Sequence, residues 1–404
     1  MIKNNTSEKR ETPVEPRIYL DYAASTPLSN ETKKLVVDLL DEYANPSSIH
    51  REGVRERSRI EGARKRVSQL LGATPDEIFF TSGSTESLNI AIRGVIDKAR
   101  ETIPLPHAIT SAIEHPAILE TLKALERAGA VSVDYLTPDA EGVVSDSDLQ
   151  KTLKKETVLI AFSLINSEIG TVLPHEKYTS VLRNFRKKVT GEKYPHVLID
   201  ATQAPLYYEV NVQKVAADLL VLDGSKMGGL KGSGLLYSRR GTGLSPTLFG
   251  GGQEGGLRPG TQNSLAIETL AATLETAQSK ASLNSEKMKT LSQGFIEKLK
   301  VTLCDVSFNG SVENRSPHIV SVCFPEIDAE WLVLQLDAAG ISVSRGSACK
   351  SKSGNESEVL SIINPRCKES SVRFSFGNQT TEEEIGKTVE IITHLVSAGV
   401  SFPR

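Results

Sequence analysis

Apolar runs rich in β-branched residues recur over much of the chain, and many of them are apolar at almost every position. Such runs are typical of strands that are buried on both faces of a sheet. The segments between them, such as 86–100 and 117–128, have the spacing of helices. We interpret the runs as strands at 77–81, 108–113, 131–136, 158–165, 196–200, 219–222 and 234–238. This alternation predicts an α/β fold with a mostly parallel sheet.

A glycine-rich tract at 241–260 interrupts the alternation, and a long helix is predicted from 264 to 300. Shorter strands and helices follow it, which predicts a smaller α+β unit. We therefore expect three parts. They are a disordered tail at 1–17, a large domain at 18–262 and a small C-terminal domain at 263–404.

The composition narrows the classes of protein that fit. The 404 residues carry a formal net charge of −3, without the basic excess that nucleic-acid binding requires. No run approaches the ~20 apolar residues that a membrane span needs. The N-terminus has neither the apolar region of a signal peptide nor the acid-poor composition of a transit peptide. We expect a cytoplasmic protein that binds neither nucleic acid nor membranes.

Lys226 is the most informative lysine, because it follows the strand at 219–222 and precedes a glycine-dense turn. Partial burial there would lower the pKa of its amine and make it competent to form an imine. An ordinary surface lysine at a strand end is the alternative interpretation.

The turn at 82–85 supplies a second signal, because it joins a strand to a helix and contains Ser82, Ser84 and Thr85. Free N–H groups at a helix N-terminus, together with hydroxyls, are suited to phosphate. The same residue types are also ordinary helix caps. A phosphate turn and an imine-forming Lys226 on one sheet together suggest pyridoxal phosphate.

Two residues at strand ends extend this hypothesis. Asp200 ends the strand at 196–200, where a carboxylate would keep a pyridinium nitrogen protonated. His115 follows the strand at 108–113 and would stack on a planar ring. The alternatives are a helix-capping aspartate and a packing histidine.

The 4 cysteines lie at 304, 323, 349 and 367, and their spacing indicates neither a disulfide framework nor a metal site. Cys349 lies among small and polar residues with basic neighbours, which favour a reactive thiolate. Cys367 also has basic neighbours and competes with Cys349 as the candidate nucleophile. Cys304 and Cys323 are interpreted as packing residues.

Longer motifs occur in a fixed order between Tyr19 and Ile385: YLDYAASTP, NPSSIHREG, TSGSTES, EHPAIL, NSEIGTVLP, DATQAP, GSKMGGLKGSG, GGGQEGGLRPGT, RGSACKS and VRFSFGNQTTEEEI. In these motifs the chain resembles the class V aminotransferase family of fold-type-I pyridoxal phosphate enzymes. Within that family it is similar to the NifS/IscS-like group I cysteine desulfurases.

The resemblance implies roles for four residues around the cofactor ring. Lys226 corresponds to the Schiff-base lysine, and His115 to the residue that stacks on the ring and acts as acid or base. Asp200 corresponds to the partner of the pyridinium nitrogen. Gln203 corresponds to the donor to the phenolic oxygen.

The resemblance also implies how the phosphate and the substrate are bound. Ser84 and Thr85 correspond to the phosphate turn, and Thr261 to a phosphate ligand that the family supplies from the opposite subunit. A homodimer is therefore expected. Arg373 corresponds to the clamp for the substrate carboxylate, and Cys349 to the cysteine that carries a persulfide.

Three positions depart from the family pattern. Asn-Asn-Glu becomes Asn-Ser-Glu at 166–168, so Ser167 replaces an amide near the ring and the substrate. Asp223 stands where a phosphate-binding serine is expected. Because a carboxylate repels phosphate, we expect Asp223 to turn away and Ser225 to bind the phosphate instead. Gly255 replaces an arginine, without an assigned consequence.

The resemblance thus implies a cysteine desulfurase that converts L-cysteine to L-alanine and forms a persulfide on Cys349. The sulfur then passes to an acceptor protein, such as an iron–sulfur scaffold or a carrier for tRNA thiolation. The alternatives are a selenocysteine lyase, another class V enzyme that catalyses β-elimination or transamination, and a non-catalytic scaffold. Cys349 favours sulfur transfer, because a transaminase needs no such cysteine.

Overall fold

The computed structural model describes residues 17–188, 194–346 and 357–397, so the predicted tail up to residue 16 and Cys349 lie outside the described residues. The strands are β1 (Ile18–Tyr19), β2 (Ile78–Thr81), β3 (His107–Ser111), β4 (Ser132–Leu136), β5 (Thr157–Ser163), β6 (His196–Asp200), β7 (Leu219–Asp223), β8 (Gly234–Ser238), β9 (Ser307–Asn309), β10 (Ile319–Cys323), β11 (Ile341–Ser342) and β12 (Ser371–Ser375). The helices are α1 (Asn30–Leu39), α2 (Arg51–Leu71), α3 (Ser84–Ala99), α4 (Pro116–Arg127), α5 (Asp146–Thr152), α6 (His175–Lys188), α7 (Ser264–Thr302), α8 (Ala329–Ala338), α9 (Glu358–Ile363) and α10 (Glu382–Ser397).

A seven-stranded sheet with the order β2-β8-β7-β6-β5-β3-β4 forms the centre of the fold. Strand β8 is antiparallel to both β2 and β7, and the other neighbouring pairs are parallel. The predicted α/β fold with a mostly parallel sheet is therefore confirmed. Each of the seven predicted apolar runs forms one strand of this sheet.

The uniformly apolar strands are explained by two cores on opposite faces of the sheet. Along β7, Leu219 and Val221 pack into one core with α3 and α4. Leu220 and Leu222 face the other core, which includes side chains of α2 and α7. Because successive side chains of a strand point to opposite faces, a strand covered on both sides must be apolar throughout.

The C-terminal part contains a three-stranded antiparallel sheet with the order β12-β10-β9. The short strand β1 pairs with β11, which joins Ile18 to Ile341. Strands β1 and β9 are not predicted from the sequence. The predicted domain boundary at residue 262 stays a prediction. Within the described residues, no helix is long and apolar enough to cross a membrane.

The bonding of Cys323 and Cys367 and the exposure of Cys304 differ from the sequence interpretation. Cys323 at the end of β10 forms a disulfide with Cys367, 44 positions later. Both are buried, so Cys367 is not a free thiol that competes with Cys349. Cys304 is exposed at the end of α7, so its interpretation as a packing residue is wrong. The pairing depends on the tertiary contact between β10 and β12, which spacing does not reveal.

Candidate active site

The segment from Asp21 to Thr26, between β1 and α1, joins several of the predicted site residues. The Lys226 ammonium donates to the carbonyl of Ala24. The Gln203 amide donates to the carbonyl of Ala23 at 2.9 Å. The two side chains are thus held by adjacent carbonyls of one turn. The hydroxyl of Thr26 fixes the lysine backbone by donating to the carbonyl of Lys226 at 2.9 Å.

Lys226 lies in a short 3₁₀ segment that follows β7, as the sequence predicts. Parallel β strands end at one edge of a sheet, and that edge is the usual place for ligands in such folds. Asp200 ends the neighbouring strand β6 and is buried. One oxygen of the Asp200 carboxylate accepts from the N–H of Thr202 at 3.0 Å, which holds the carboxylate at this edge.

Glu114 is a buried carboxylate of this edge that the sequence analysis missed, although it precedes His115 directly. It accepts from the N–H of Ser163 at 2.9 Å and from the Ser163 hydroxyl. Ser163 pairs with Asp200 across β5 and β6. Burial, with a further contribution from the Asp200 charge, raises the pKa of Glu114 to about 7. Glu114 therefore retains a proton close to neutrality.

His115 caps α4, and its Nδ1 accepts from the N–H of Ala117 at 3.1 Å. Pro116 occupies the first helical position, where its missing N–H costs no hydrogen bond. With Nδ1 as an acceptor, the proton of the neutral ring lies on Nε2. The half-buried ring is thus fixed in one tautomer.

The phosphate turn differs from the expectation at one residue. Ser84 begins α3 and Thr85 is exposed beside it, as predicted. Asp223, however, does not turn away. Its carboxylate accepts from the N–H of Ser84 at 3.0 Å and from the N–H of Ser225 at 2.9 Å. The expectation that Asp223 turns away is therefore wrong, because both serines donate to its carboxylate. Phosphate binding by Ser225 stays a prediction.

Arg373 of β12 is buried, and two groups fix its guanidinium. Nη1 donates to the carbonyl of Ser167 at 2.9 Å, and Nη2 donates to the carboxylate of Asp21 at 2.8 Å. The Nε atom is buried and has no hydrogen-bond partner among the described residues. The backbone of Ser167 thus holds the predicted clamp. The predicted contact of Ser167 with cofactor or substrate stays a prediction.

Gln203 is positioned by His318, a second residue that the sequence analysis missed. His318 Nε2 lies 3.3 Å from the Gln203 side-chain oxygen, and its Nδ1 lies 2.7 Å from the hydroxyl of Ser316. The ring stacks on Tyr207 at 4.1 Å. Burial and the Arg373 charge lower the pKa of His318 to about 3, so the ring stays neutral and its Nε2 donates.

Thr261 is exposed and lines a cavity of about 200 Å³ together with Ser82 and Arg258. Nearby, Gly255 adopts φ +61°, and a Cβ atom there would lie 3.2 Å from the ring of Phe79. This backbone conformation disfavours the arginine of the family pattern. Within the described part of the chain, no cluster of His, Cys, Asp or Glu is arranged to hold a metal.

Glu168 lies beside the two described residues that flank the segment containing Cys349. Ser357 donates to its carboxylate. A Cβ atom on Gly346 would lie 2.8 Å from the same carboxylate. Glu168 directly follows Ser167, whose carbonyl contacts Arg373. Both flanks of that segment therefore lie beside the predicted substrate clamp.

A lysine, a buried aspartate and a fixed histidine at the carboxyl edge of a parallel sheet define a site for an aldehyde cofactor with a basic ring nitrogen. The chain belongs to the class-V aminotransferase family, which matches residues 18–387. Members of this family depend on pyridoxal phosphate. The ring-binding residues fit the cofactor, whereas Asp223 occupies donors that its phosphate would use.

Individual relatives agree with the family assignment. The chain is 38% identical to a cysteine desulfurase IscS of Dictyoglomus turgidum, over 94% of each chain. It is similar to the solved structure of a NifS-like protein, with a TM-score of 0.87 and 31% identity over 95% of this chain and 100% of that one. A structure of SspA in complex with cysteine matches with a TM-score of 0.75 and 32% identity, over 90% and 100% of the two chains.

Proposed function

We propose that this protein is a pyridoxal-phosphate-dependent cysteine desulfurase that transfers the sulfur of L-cysteine to Cys349. The observation that carries the proposal is that Lys226 and Gln203 donate to adjacent carbonyls of the segment whose Asp21 pairs with Arg373. Glu168, next to Ser167 in the sequence, accepts from Ser357, which follows the cysteine segment. The relatives named as cysteine desulfurases support the same reaction.

Bound pyridoxal phosphate supplies an electron sink that weakens the Cα–H and Cβ–S bonds of an amino acid attached to it. Lys226 would hold the cofactor covalently, and Asp200 would keep its ring nitrogen protonated. Gln203, positioned by the neutral His318, would donate to the phenolic oxygen. These residues orient the ring and hold its protons.

Arg373 binds the substrate carboxylate, because a guanidinium forms paired hydrogen bonds with a carboxylate. Asp21 and the Ser167 carbonyl hold its orientation before the substrate arrives. The amine of Lys226, once released, accepts the Cα proton, and His115 returns a proton when alanine forms. His115 suits this role because its tautomer is set by the cap of α4.

Cys349 acts as the sulfur acceptor. Gly346 lies against Glu168. Gly346 precedes Cys349 by three positions in the sequence. The thiolate attacks the substrate sulfur, and the carbon–sulfur bond breaks. The products are a Cys349 persulfide and alanine.

The decisive experiment measures alanine and sulfide after incubation of the purified protein with L-cysteine and a thiol reductant. Equal amounts of both products are expected from the wild type. Lys226→Ala should yield neither product and should lose the visible absorbance of the lysine-bound cofactor. Lys231→Ala, an exposed lysine of the same turn, is the matched control. Pyruvate with sulfide, the products of β-elimination, or mercaptopyruvate, the product of transamination, would favour one of the other class V reactions.

We further propose a cytoplasmic homodimer in which Thr261 of one subunit binds the phosphate in the other. The exposed position of Thr261 supports this arrangement. Sedimentation should give a dimer, and Thr261→Ala should weaken cofactor binding without unfolding the protein. A monomer with full cofactor occupancy would contradict the shared site. The acceptor of the sulfur is proposed to be a protein of iron–sulfur assembly or of tRNA thiolation.

A further inference from the structure

The carboxylate of Asp223 accepts four hydrogen bonds, two from Ser84 at the start of α3 and two from Ser225. Oδ2 of Asp223 accepts from the N–H of Ser84 at 3.0 Å and from its hydroxyl at 3.1 Å. Oδ1 accepts from the N–H of Ser225 at 2.9 Å and from its hydroxyl at 2.7 Å. A short side chain thus joins the end of β7 to the N-terminus of a 16-residue helix.

The backbone keeps this arrangement in place. Gly83 adopts φ +152°, a conformation that side chains rarely allow, and a Cβ atom there would lie 3.2 Å from Oδ2 of Asp223. On the other side, a Cβ atom on Gly234 would lie 2.4 Å from Gly83. The close packing of Gly83 against Gly234 therefore limits the movement of the turn. Rotation or neutralisation of the Asp223 side chain would release the donors.

A phosphate at this turn would need the same groups. N–H groups at a helix N-terminus and nearby hydroxyls are the usual donors to a phosphate oxygen. Two anions cannot accept from the same N–H of Ser84, and their charges repel one another at close range. An aspartate therefore competes with the phosphate, whereas a serine would assist it.

We propose that Asp223 is a specificity-determining residue that lowers the preference of this site for phosphorylated over unphosphorylated pyridoxal. The inference rests on the proposed function, because it concerns the cofactor of that same site. The aldehyde end of the ligand binds at Lys226 in either case. Only the phosphate end meets the Asp223 carboxylate.

The test compares the affinities of pyridoxal phosphate and pyridoxal for the full-length protein after removal of cofactor, measured by absorbance titration. Asp223→Ser should bind pyridoxal phosphate about ten-fold more tightly than the wild type, because charge-assisted donors become available. Its affinity for pyridoxal should change less than about two-fold, since pyridoxal lacks the phosphate. Asp223→Asn, which keeps the size of the side chain, should shift the ratio in the same direction.

Glu86→Gln is the matched control, because Glu86 belongs to the first turn of the same helix. Its carboxylate contacts the N–H of Ser82 and Nε of Arg258, not Ser84 or Ser225. A shift in ratio confined to the Asp223 variants supports competition for the donors. An unchanged ratio in both variants, or an equal shift in Glu86→Gln, overturns it. Failure of every protein to bind either ligand at Lys226 would instead contradict the proposed function.

Inorganic phosphate gives a second measurement that does not depend on Lys226. Added phosphate should raise the melting temperature of cofactor-free Asp223→Ser more than that of the wild type, because a ligand stabilises the state that binds it. Equal stabilisation of the two proteins by phosphate would contradict the inference even if both bind the cofactor.

Discussion

The carboxylate of Asp21 and the guanidinium of Arg373 form an ion pair of 2.8 Å between residues 352 positions apart. Arg373 is 3% exposed, so the pair fixes the clamp in a largely desolvated environment. The same segment holds Lys226 and Gln203 through the carbonyls of Ala24 and Ala23. The residues between β1 and α1 therefore align Arg373, the predicted substrate clamp, with Lys226, the predicted cofactor-binding lysine.

Asp21→Asn should weaken the binding of cysteine more than it slows the reaction. The neutral amide still accepts a hydrogen bond from Arg373 but no longer neutralises its charge, so the guanidinium is held less firmly. We expect KM to rise by about ten-fold, equivalent to ~1.4 kcal/mol, with a smaller change in kcat. Initial rates against cysteine concentration measure both constants.

Asp76→Asn is the control, because Asp76 pairs with Arg240 in an exposed ion pair. Exposed pairs contribute little, so its kinetics should match those of the wild type. A change in kcat alone for Asp21→Asn would contradict a role in holding the substrate clamp.

Glu114 should give the protein a specific pH dependence. Its pKa is raised from 4.5 to about 7 by burial and by Asp200, so the folded protein favours the protonated form. Its contribution to the unfolding free energy is complete below its usual pKa and is lost as the pH rises through about 7. A shift of this size corresponds to about 3 kcal/mol.

Glu114→Gln should therefore unfold with a flatter pH profile than the wild type between acidic and neutral pH. Denaturant unfolding at several pH values measures the difference, and the exposed Glu120→Gln serves as the control. Parallel profiles for wild type and Glu114→Gln would show that Glu114 titrates in its ordinary range.

The disulfide between Cys323 and Cys367 leads to a prediction for turnover and a prediction for the free energy of unfolding. Cys367→Ser should leave turnover nearly unchanged, because Cys367 is buried and bonded to Cys323. The free energy of unfolding of the Cys367→Ser protein should be lower than that of the wild type by roughly 2–4 kcal/mol, the usual contribution of a disulfide. Disulfides are rare in cytosolic proteins, so the Cys323–Cys367 disulfide counts against the proposed cytoplasmic location.

Thiol titration of the unfolded, unreduced protein checks the pairing. Cys304 and Cys349 should react, and Cys323 and Cys367 should react only after reduction. Reaction of all 4 cysteines before reduction would contradict the disulfide.

The sequence predicts the central sheet well because a strand that is buried on both faces is an apolar run, which is visible locally in the sequence. The strands at 196–200 and 234–238 match β6 and β8 at both ends. Strand β9 is missed because it has three residues and its first is exposed. Lys226 and Asp200 are predicted as strand-end residues for the same local reason.

Contacts between distant parts of the chain leave no such local signal. Asp223 lies 139 positions from Ser84, and repulsion by phosphate alone predicts the wrong direction for its side chain. His318 and Gln203 are 115 positions apart, and nothing near either residue indicates their contact. These relationships depend on which strand ends lie side by side in the folded sheet.

The central claim is that Cys349 carries the sulfur, and mass spectrometry of cysteine-treated protein tests it most directly. The account predicts one extra sulfur atom on the peptide that contains Cys349. Cys349→Ser should lose both this modification and sulfide release while it keeps the cofactor absorbance, because a serine hydroxyl is a poor nucleophile toward sulfur. An extra sulfur on the peptide of Cys304 or Cys367, or continued sulfide release by Cys349→Ser, would contradict the claim.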